Sequence, residues 1–131
     1  MASILKVDTL TGVTTAGSIS VTGEGNSTTT NLQQGLAKVW AVRSTGGTPS
    51  LSDGFNVSSI VDEGVGDTDY NITSSMSVVT NAFGNSDQNS ANRRGIYTDN
   101  ESTSKIRTLS YDTGGSGVDD AVSFICCGDL A

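Results

Sequence analysis

Apolar and β-branched residues occur along this chain in short clusters that are separated by polar turns. Clusters of this kind, bounded by Gly, Asn, Asp and Ser, are typical of β-strands. After residue 35 the stretches that fit are LAKVWAVR, GFNVSSIVD, DYNITS, MSVVTNAF, GIYT, SKIRTLSYD and AVSFICCG. Turn sequences lie between them at TGGTP, EGVGD, FGNSDQNS and TGGSG. The pattern predicts an all-β protein whose strands form an antiparallel sandwich or a small barrel.

The first part of the chain has a different pattern. Its apolar residues are isolated from one another by Thr, Ser and Gly, and Ile4, Val7 and Leu10 are typical of them. The stretches ILKVDTL and SISVTG can form short strands, but they are too sparse to build a core and need a partner surface. We therefore predict an N-terminal attachment or intertwining arm over residues 1–34 and a β-sandwich domain over residues 35–131. A disordered tail is the alternative for the arm.

The composition gives the predicted domain a thin core. Hydrophobic residues make up 34% of the chain, whereas apolar residues, glycine included, make up about 45–50% of an average domain. A chain of this kind gains much of its burial from copies of itself, so we expect an oligomer. Trp40 lies within a predicted strand and is assigned either to the core or to a subunit interface.

The charge of the chain limits its partners. The formal net charge is -7, and the one pair of adjacent basic residues is Arg93 and Arg94. Because phosphate binding requires clustered Lys and Arg, we expect no nucleic-acid partner. No run approaches the roughly 18 apolar residues of a membrane span, and the first residues lack a signal-peptide pattern, so we expect no membrane insertion and synthesis in the cytoplasm.

The residues that catalysis most often uses are scarce. The chain has no histidine, so a serine or cysteine nucleophile lacks its commonest base. Cys126 and Cys127 are adjacent, which on a strand places them on opposite faces as small packing residues. We therefore expect a protein that is not an enzyme, with no catalytic, cofactor-binding or metal-binding residues.

Two groups of residues remain as candidates for binding. The turn at residues 62–69 carries Asp62, Glu63, Asp67 and Asp69, which leaves open whether it holds a cation or is a plain acidic turn. Tyr97 and Tyr111 lie near polar loops and are candidates for a contact surface, because exposed aromatic rings can stack on sugars.

Several motifs resemble one family. These are LKVDTLTG at the start, LQQGLAKVWAV, SDGFNVSSIVDEGVGDTDYNITSSM and the closing GDLA. They are similar to segments of short tail-fibre and fibre-like structural proteins of tailed phages, particularly marine and cyanobacterial ones. The similarity covers most of residues 1–76 and the last few residues. The stretch RSTGGTPSLSDGF departs from the family, which more often has a FNGTG turn there.

The resemblance implies a non-enzymatic bacteriophage virion structural protein. A short trimeric tail fibre or host-contact appendage, anchored through the arm residues Ile4, Val7 and Leu10, is the first expectation. A capsid decoration or head-fibre protein is the alternative, and a carbohydrate-binding module is a lesser one. The expected partners are two further copies in a homotrimer, other virion proteins of the tail or capsid, and a host-surface glycan. The expected fold is an antiparallel β-sandwich or jelly-roll-like domain with an extended N-terminal arm.

Overall fold

A computed structural model describes residues 4–13, 19–22, 28–33, 35–44, 48–87 and 95–131. Among these residues it has ten strands and no helix, so no helix in the described part of the chain could span a membrane. The chain divides into two compact units, Met1–Leu36 and Ala37–Ala131. The predicted all-β class is confirmed. The basic pair Arg93 and Arg94 lies outside the described residues.

The described part of the first unit contains one small hairpin. Strand β1 (Ser20–Thr22) pairs antiparallel with β2 (Thr29–Asn31). The side chain of Asn31 then accepts a hydrogen bond of 2.8 Å from the backbone N–H of Gln33, which starts a turn. Residues 4–13 form no strand. The strand predicted for ILKVDTL is therefore absent from the single chain, because these residues have no neighbouring strand to receive their backbone hydrogen bonds.

The second unit consists of two four-stranded antiparallel sheets. Sheet I has the order β4-β3-β10-β7, and sheet II has the order β5-β6-β9-β8. The strands are β3 (Val39–Arg43), β4 (Leu51–Phe55), β5 (Val57–Gly64), β6 (Asp67–Ile72), β7 (Ala82–Asp87), β8 (Gly95–Ser102), β9 (Lys105–Tyr111) and β10 (Val122–Cys127).

Apolar side chains from the two sheets meet between them. Val39, Ala41 and Phe124 of sheet I form one buried cluster with residues of sheet II that include Tyr70 and Ile106. The rings of Tyr70 and Phe124 pack edge to face with centroids 4.9 Å apart, a geometry that aromatic pairs prefer. The predicted antiparallel β-sandwich is confirmed.

The two cysteines lie on opposite sides of β10, as their adjacent positions on a strand predict. Cys126 is fully buried between the sheets, and Cys127 is partly exposed. Burial raises the pKa of the Cys126 thiol to about 11. The thiol is therefore uncharged at neutral pH and behaves as a small apolar packing group.

The stretch GFNVSSIVD, predicted as one strand, is divided between two. Strand β4 of sheet I ends at Phe55 and strand β5 of sheet II begins at Val57, with Asn56 between them at a φ of 61°. The Asn56 side chain holds this corner, since its Nδ2 donates to the carbonyl of Ser74 and its Oδ1 accepts from the Ser74 N–H at 2.7 Å. Asparagine tolerates this left-handed conformation better than most residues, so the chain can cross between sheets here.

The prediction of one strand over MSVVTNAF is also wrong. Met76 makes a single bridge to Leu130, and β7 begins only at Ala82. Val78 and Val79 between them are half-exposed. The backbone of this segment is bonded to loops instead of a strand, with the N–H of Met76 donating to the Thr103 carbonyl at 2.7 Å. Strand β7 occupies much of the stretch that was predicted as a turn, FGNSDQNS, whose residues after 87 lie outside the described part.

A buried arginine connects the two sheets. Arg43 of β3 is 1% exposed, and its guanidinium donates to the backbone carbonyl of Asp120 at 2.9 Å. It also donates to the hydroxyls of Thr68 on β6 and Ser110 on β9. One side chain therefore joins sheet I, sheet II and the segment that leads into β10.

Candidate functional site

Each sheet of the sandwich has an outer face, and the two outer faces differ in chemistry. Strand residues alternate between the core and the solvent side, so the partly exposed positions of each strand lie together on its outer face. On sheet II, β8 and β9 form a hairpin in which Tyr97 pairs with Leu109 and Gly95 pairs with Tyr111. This register places Tyr97 and Tyr111, the two predicted contact residues, on the same face of one sheet.

We name the outer surface of this hairpin the tyrosine face. The face consists of six residues on the outer side of β8 and β9, namely Tyr97, Asp99, Glu101, Arg107, Leu109 and Tyr111. All of them except Tyr111 line a depression of about 160 Å³. Tyr97 is 55% exposed and Tyr111 is 37% exposed. The rings are therefore available to a ligand.

Ion pairs fix the charged side chains of this face. The Nε of Arg107 donates to Oδ1 of Asp67 at 2.7 Å, and Nη2 of Arg107 donates to Oδ2 of the same carboxylate. Lys105 Nζ lies 3.0 Å from Asp69 Oδ2 and 3.1 Å from Glu101 Oε2. Hydrogen bonding to Asp67 raises the pKa of Arg107, and hydrogen bonding to Asp69 raises that of Lys105. Both cations are therefore charged at any ordinary pH.

A hydrogen bond also fixes the Tyr97 ring. The phenol Oη donates to Asp99 Oδ2 at 3.1 Å. This bond to Asp99 raises the pKa of Tyr97 above its ordinary value, with the charge of the same carboxylate acting in the same direction. The phenol therefore stays protonated at neutral pH, and the ring keeps its orientation on the sheet.

The outer face of sheet I carries an apolar row. Trp40 of β3 pairs with Phe55 of β4 on one side and with Ile125 of β10 on the other, which forms one row across three strands. Phe55 is 53% exposed and Ile125 is 46% exposed. Trp40 itself is half-buried on this outer side and is not a member of the core cluster. We name Trp40, Val42, Phe55 and Ile125 the tryptophan face.

A shallow groove runs along the tryptophan face. Its volume is about 320 Å³, and Trp40, Val42, Gly84 and Ile125 are among the residues that line it. Gly84 of β7 pairs with Ile125, and a β-carbon added at Gly84 would lie 3.2 Å from Cγ2 of Ile125. The glycine therefore leaves the side of Ile125 open to a partner.

The predicted arm residues are exposed in the single chain. Ile4 is 79% exposed, Val7 is 56% exposed and Leu10 is 55% exposed. Leu5 and Val13 of the same segment are 80% and 95% exposed. These apolar side chains are therefore exposed to solvent on a segment that forms no strand.

The acidic turn does not assemble a metal site from described residues. Asp67 and Asp69 are engaged by Arg107 and Lys105, and Asp62 Oδ1 accepts a hydrogen bond from the N–H of Gly64 at 3.2 Å. Within the described ranges, no three acidic or cysteine side chains converge in a group that could hold a metal ion.

Sequence reasoning missed part of both faces. Asp99, Glu101, Arg107 and Leu109 were not recognised, although the alternation within GIYTDNES and SKIRTLSY places each set on the same side of its strand as Tyr97 or Tyr111. Phe55 and Ile125 had no comparable signal, because their row is created by strands that are distant in sequence.

Comparisons of this chain with protein-family models, with curated proteins and with solved structures found no match.

Proposed function

We propose that this chain is a non-enzymatic structural protein of a tailed-phage virion, working as a short trimeric tail fibre or host-contact appendage that is anchored through its N-terminal arm. The observation that carries the proposal is the tryptophan face. A sandwich that functions alone keeps polar residues on its outer faces, whereas this one carries Trp40, Phe55 and Ile125 in one row on an outer face, with Phe55 and Ile125 exposed. Contiguous exposed apolar surface of this kind marks an interaction site.

The charge of the chain favours this face for contact between copies. Each copy has a formal charge of -7, so copies repel one another wherever their acidic surfaces approach. The row of Trp40, Phe55 and Ile125 carries no charge, and Asp53, which pairs with Val42, lies at its margin. Association through this row buries aromatic surface, the largest source of interface energy, and keeps most carboxylates apart. The trimeric state is the one that the family resemblance implies.

The arm supplies the second contact of the proposal. An extended segment can add a strand to the edge of a neighbouring sheet, where backbone hydrogen bonds give affinity and alternate side chains enter pockets. Ile4, Val7 and Leu10 are the apolar side chains available for such pockets. On this proposal the arm binds another virion protein, and the sandwich domains bind one another.

Placing a charge on the tryptophan face is expected to dissociate the oligomer. In Ile125→Asp, each copy would bring an unpaired carboxylate into an apolar contact, which costs an interface about 2 kcal/mol or more. We expect the association constant to fall by roughly 30-fold or more. Native mass spectrometry at micromolar concentration should find three times the monomer mass for the wild type and the monomer mass for the variant.

Val61→Asp is the matched control for this experiment. Val61 is 40% exposed on β5 of sheet II, so the variant adds the same charge to the outer face of the other sheet. We expect it to remain trimeric. A monomeric wild type, or an Ile125→Asp protein that is as trimeric as the control, would contradict the assignment of this face.

Removing the exposed part of the arm is expected to abolish incorporation into virions while the trimer persists. A chain that lacks residues 2–13 keeps β1, β2 and the whole sandwich. It loses the backbone hydrogen bonds of strand addition, each worth about 0.5–1.5 kcal/mol. Three such bonds correspond to roughly a hundredfold in affinity. The measurement is the amount of the chain that sediments with particles assembled in cells that produce the variant.

Two full-length variants separate the apolar contacts from the length of the arm. The triple change of Ile4, Val7 and Leu10 to Ser should reduce incorporation as the deletion does. The double change Lys6→Ser with Asp8→Ser alters the polar residues of the same segment and should leave incorporation at the wild-type level. Wild-type occupancy of the deletion variant would move the docking surface to the sandwich domain.

A further inference from the structure

We propose that the tyrosine face binds one ring of a neutral saccharide, with Tyr97 as the stacking platform and Asp99, Glu101 and Arg107 as its hydrogen-bonding partners. The biological meaning of this site rests on the proposed role in host contact. The site itself is a property of sheet II, on the opposite side of the sandwich from the tryptophan face.

The shape and surface of the depression suit a sugar ring. A pyranose has an apolar C–H face and a rim of hydroxyl groups, so its binding requires an exposed ring beside hydrogen-bonding side chains. Tyr97 and Leu109 pair across β8 and β9 and provide the apolar surface, and Tyr111 extends it along the sheet. The volume of about 160 Å³ is below the roughly 300–1,000 Å³ of pockets for drug-sized ligands. It therefore suits one ring of a longer glycan.

The polar groups of the face suit hydroxyl groups. Carboxylates accept the O–H of a sugar, and a guanidinium donates to its oxygens. Arg107 uses Nε and Nη2 on Asp67, which leaves Nη1 available as a donor. The Arg107 side chain is 41% exposed, and Glu101 is 44% exposed. Both can therefore reach a ligand from the solvent side.

The face is organised before any ligand arrives. Asp99 orients the Tyr97 ring, Asp67 holds Arg107 through two bonds, and Lys105 holds Glu101. Groups that are fixed in the free protein lose little conformational entropy on binding. This is the property that allows a shallow, exposed site to bind a small ligand.

The charge of the face selects against anions. Asp99 and Glu101 on the face and Asp67 and Asp69 beside it contribute four carboxylates, and Arg107 on the face and Lys105 beside it contribute two cations. Phosphate, sulfate and acidic sugars would meet a net negative surface. A neutral saccharide avoids this repulsion and uses the carboxylates as acceptors.

The test is saturation-transfer NMR on the purified full chain with the methyl glycosides of glucose, galactose, mannose and N-acetylglucosamine. We expect transfer to at least one of them with a dissociation constant of about 1 mM, the range of a single ring. N-acetylneuraminic acid, which is anionic, should give none. Absence of transfer to all four neutral glycosides, or preferential transfer to the anionic sugar, would overturn the proposal.

Variants locate the site. Tyr97→Ala removes the ring and should weaken binding at least about tenfold, while Tyr97→Phe keeps the ring but loses its bond to Asp99 and should bind with an affinity between those of Tyr97→Ala and the wild type. Val61→Ala removes an exposed apolar side chain from the same outer face, three strands away from β8, and should bind as the wild type does. Unchanged binding by Tyr97→Ala would place the sugar elsewhere and refute the assignment.

The outcome is independent of the tests of the proposed function. A chain that fails to bind sugars but forms trimers and enters virions refutes the site alone. A chain that binds sugars through Tyr97 but never associates with particles keeps the site and refutes the structural role.

Discussion

Replacing Arg43 with methionine is expected to lower the free energy of unfolding by about 3–5 kcal/mol, a large part of the stability of a small domain. Methionine fills much of the volume of arginine, so the loss comes mainly from polar groups that remain buried without a donor. The carbonyl of Asp120 and the hydroxyl of Thr68 lose the donors that Arg43 supplies, whereas the Ser110 hydroxyl keeps its hydrogen bond to the Val118 carbonyl. Each unsatisfied group costs about 1–3 kcal/mol. Urea unfolding followed by circular dichroism measures the difference.

Two further variants test whether the loss comes from the hydrogen bonds of the Arg43 guanidinium. Arg43→Lys keeps the charge but cannot reproduce the planar fork that contacts β6, β9 and the segment before β10, so it should recover only part of the loss. Arg107→Met removes a guanidinium from an exposed ion pair on sheet II and should cost far less, because solvent screens such pairs. Equal midpoints for Arg43→Met and Arg107→Met would show that the buried network does not stabilise the fold.

A second large loss is expected for Gly66→Ala, in the turn between β5 and β6. Gly66 has a φ of 79°, and a β-carbon there would lie 2.4 Å from the Ser110 carbonyl oxygen and 2.6 Å from the Val118 nitrogen. Both are backbone atoms that cannot rotate away. The same turn is bonded to these segments, since the Ser110 N–H donates to the Gly66 carbonyl and the Gly66 N–H donates to Asp119 Oδ1, both at 2.8 Å. The clash would break these contacts at an expected total cost of roughly 3 kcal/mol or more.

Gly115→Ala is the matched control for this prediction. Gly115 has a similar φ of 83°, but a β-carbon there would meet nothing within 4 Å. The alanine variant therefore loses only the about 1–2 kcal/mol of stability that a left-handed backbone conformation costs a residue with a β-carbon. The difference between the two variants in thermal or urea unfolding isolates the close approach. A Gly66→Ala protein as stable as Gly115→Ala would show that the turn can move away from the Val118 segment.

Arg43 links the two sheets from the inside, and Gly66 holds the β5–β6 turn against the segment that leads into β10, whereas the tryptophan and tyrosine faces lie on the outside. Substitutions at Ile125 or Tyr97 are therefore expected to leave the core intact. A change in association or sugar binding in these variants can therefore be assigned to the substituted face, because the fold is retained.

Local pattern was sufficient for most of the strands. The β-branched and aromatic content of LAKVWAVR, SKIRTLSYD and AVSFICCG predicts β3, β9 and β10. It fails at Asn56 and at Met76, for different reasons. At Asn56 the apolar pattern continues while the chain changes sheet, so only one backbone angle marks the corner. At Met76 the β-branched residues that follow are half-exposed, and loop contacts replace a ladder.

The sequence by itself determined the all-β class, the sparse apolar arm and the presence of exposed tyrosines, because these follow from composition and from the two-residue period of a strand. Only the tertiary structure decided that Trp40, Phe55 and Ile125 form one row and that Arg43 is a buried link between sheets. Strand order and register arise from pairing between segments that are distant along the chain. That pairing depends on the combined burial of both sheets, which no local stretch of residues contains.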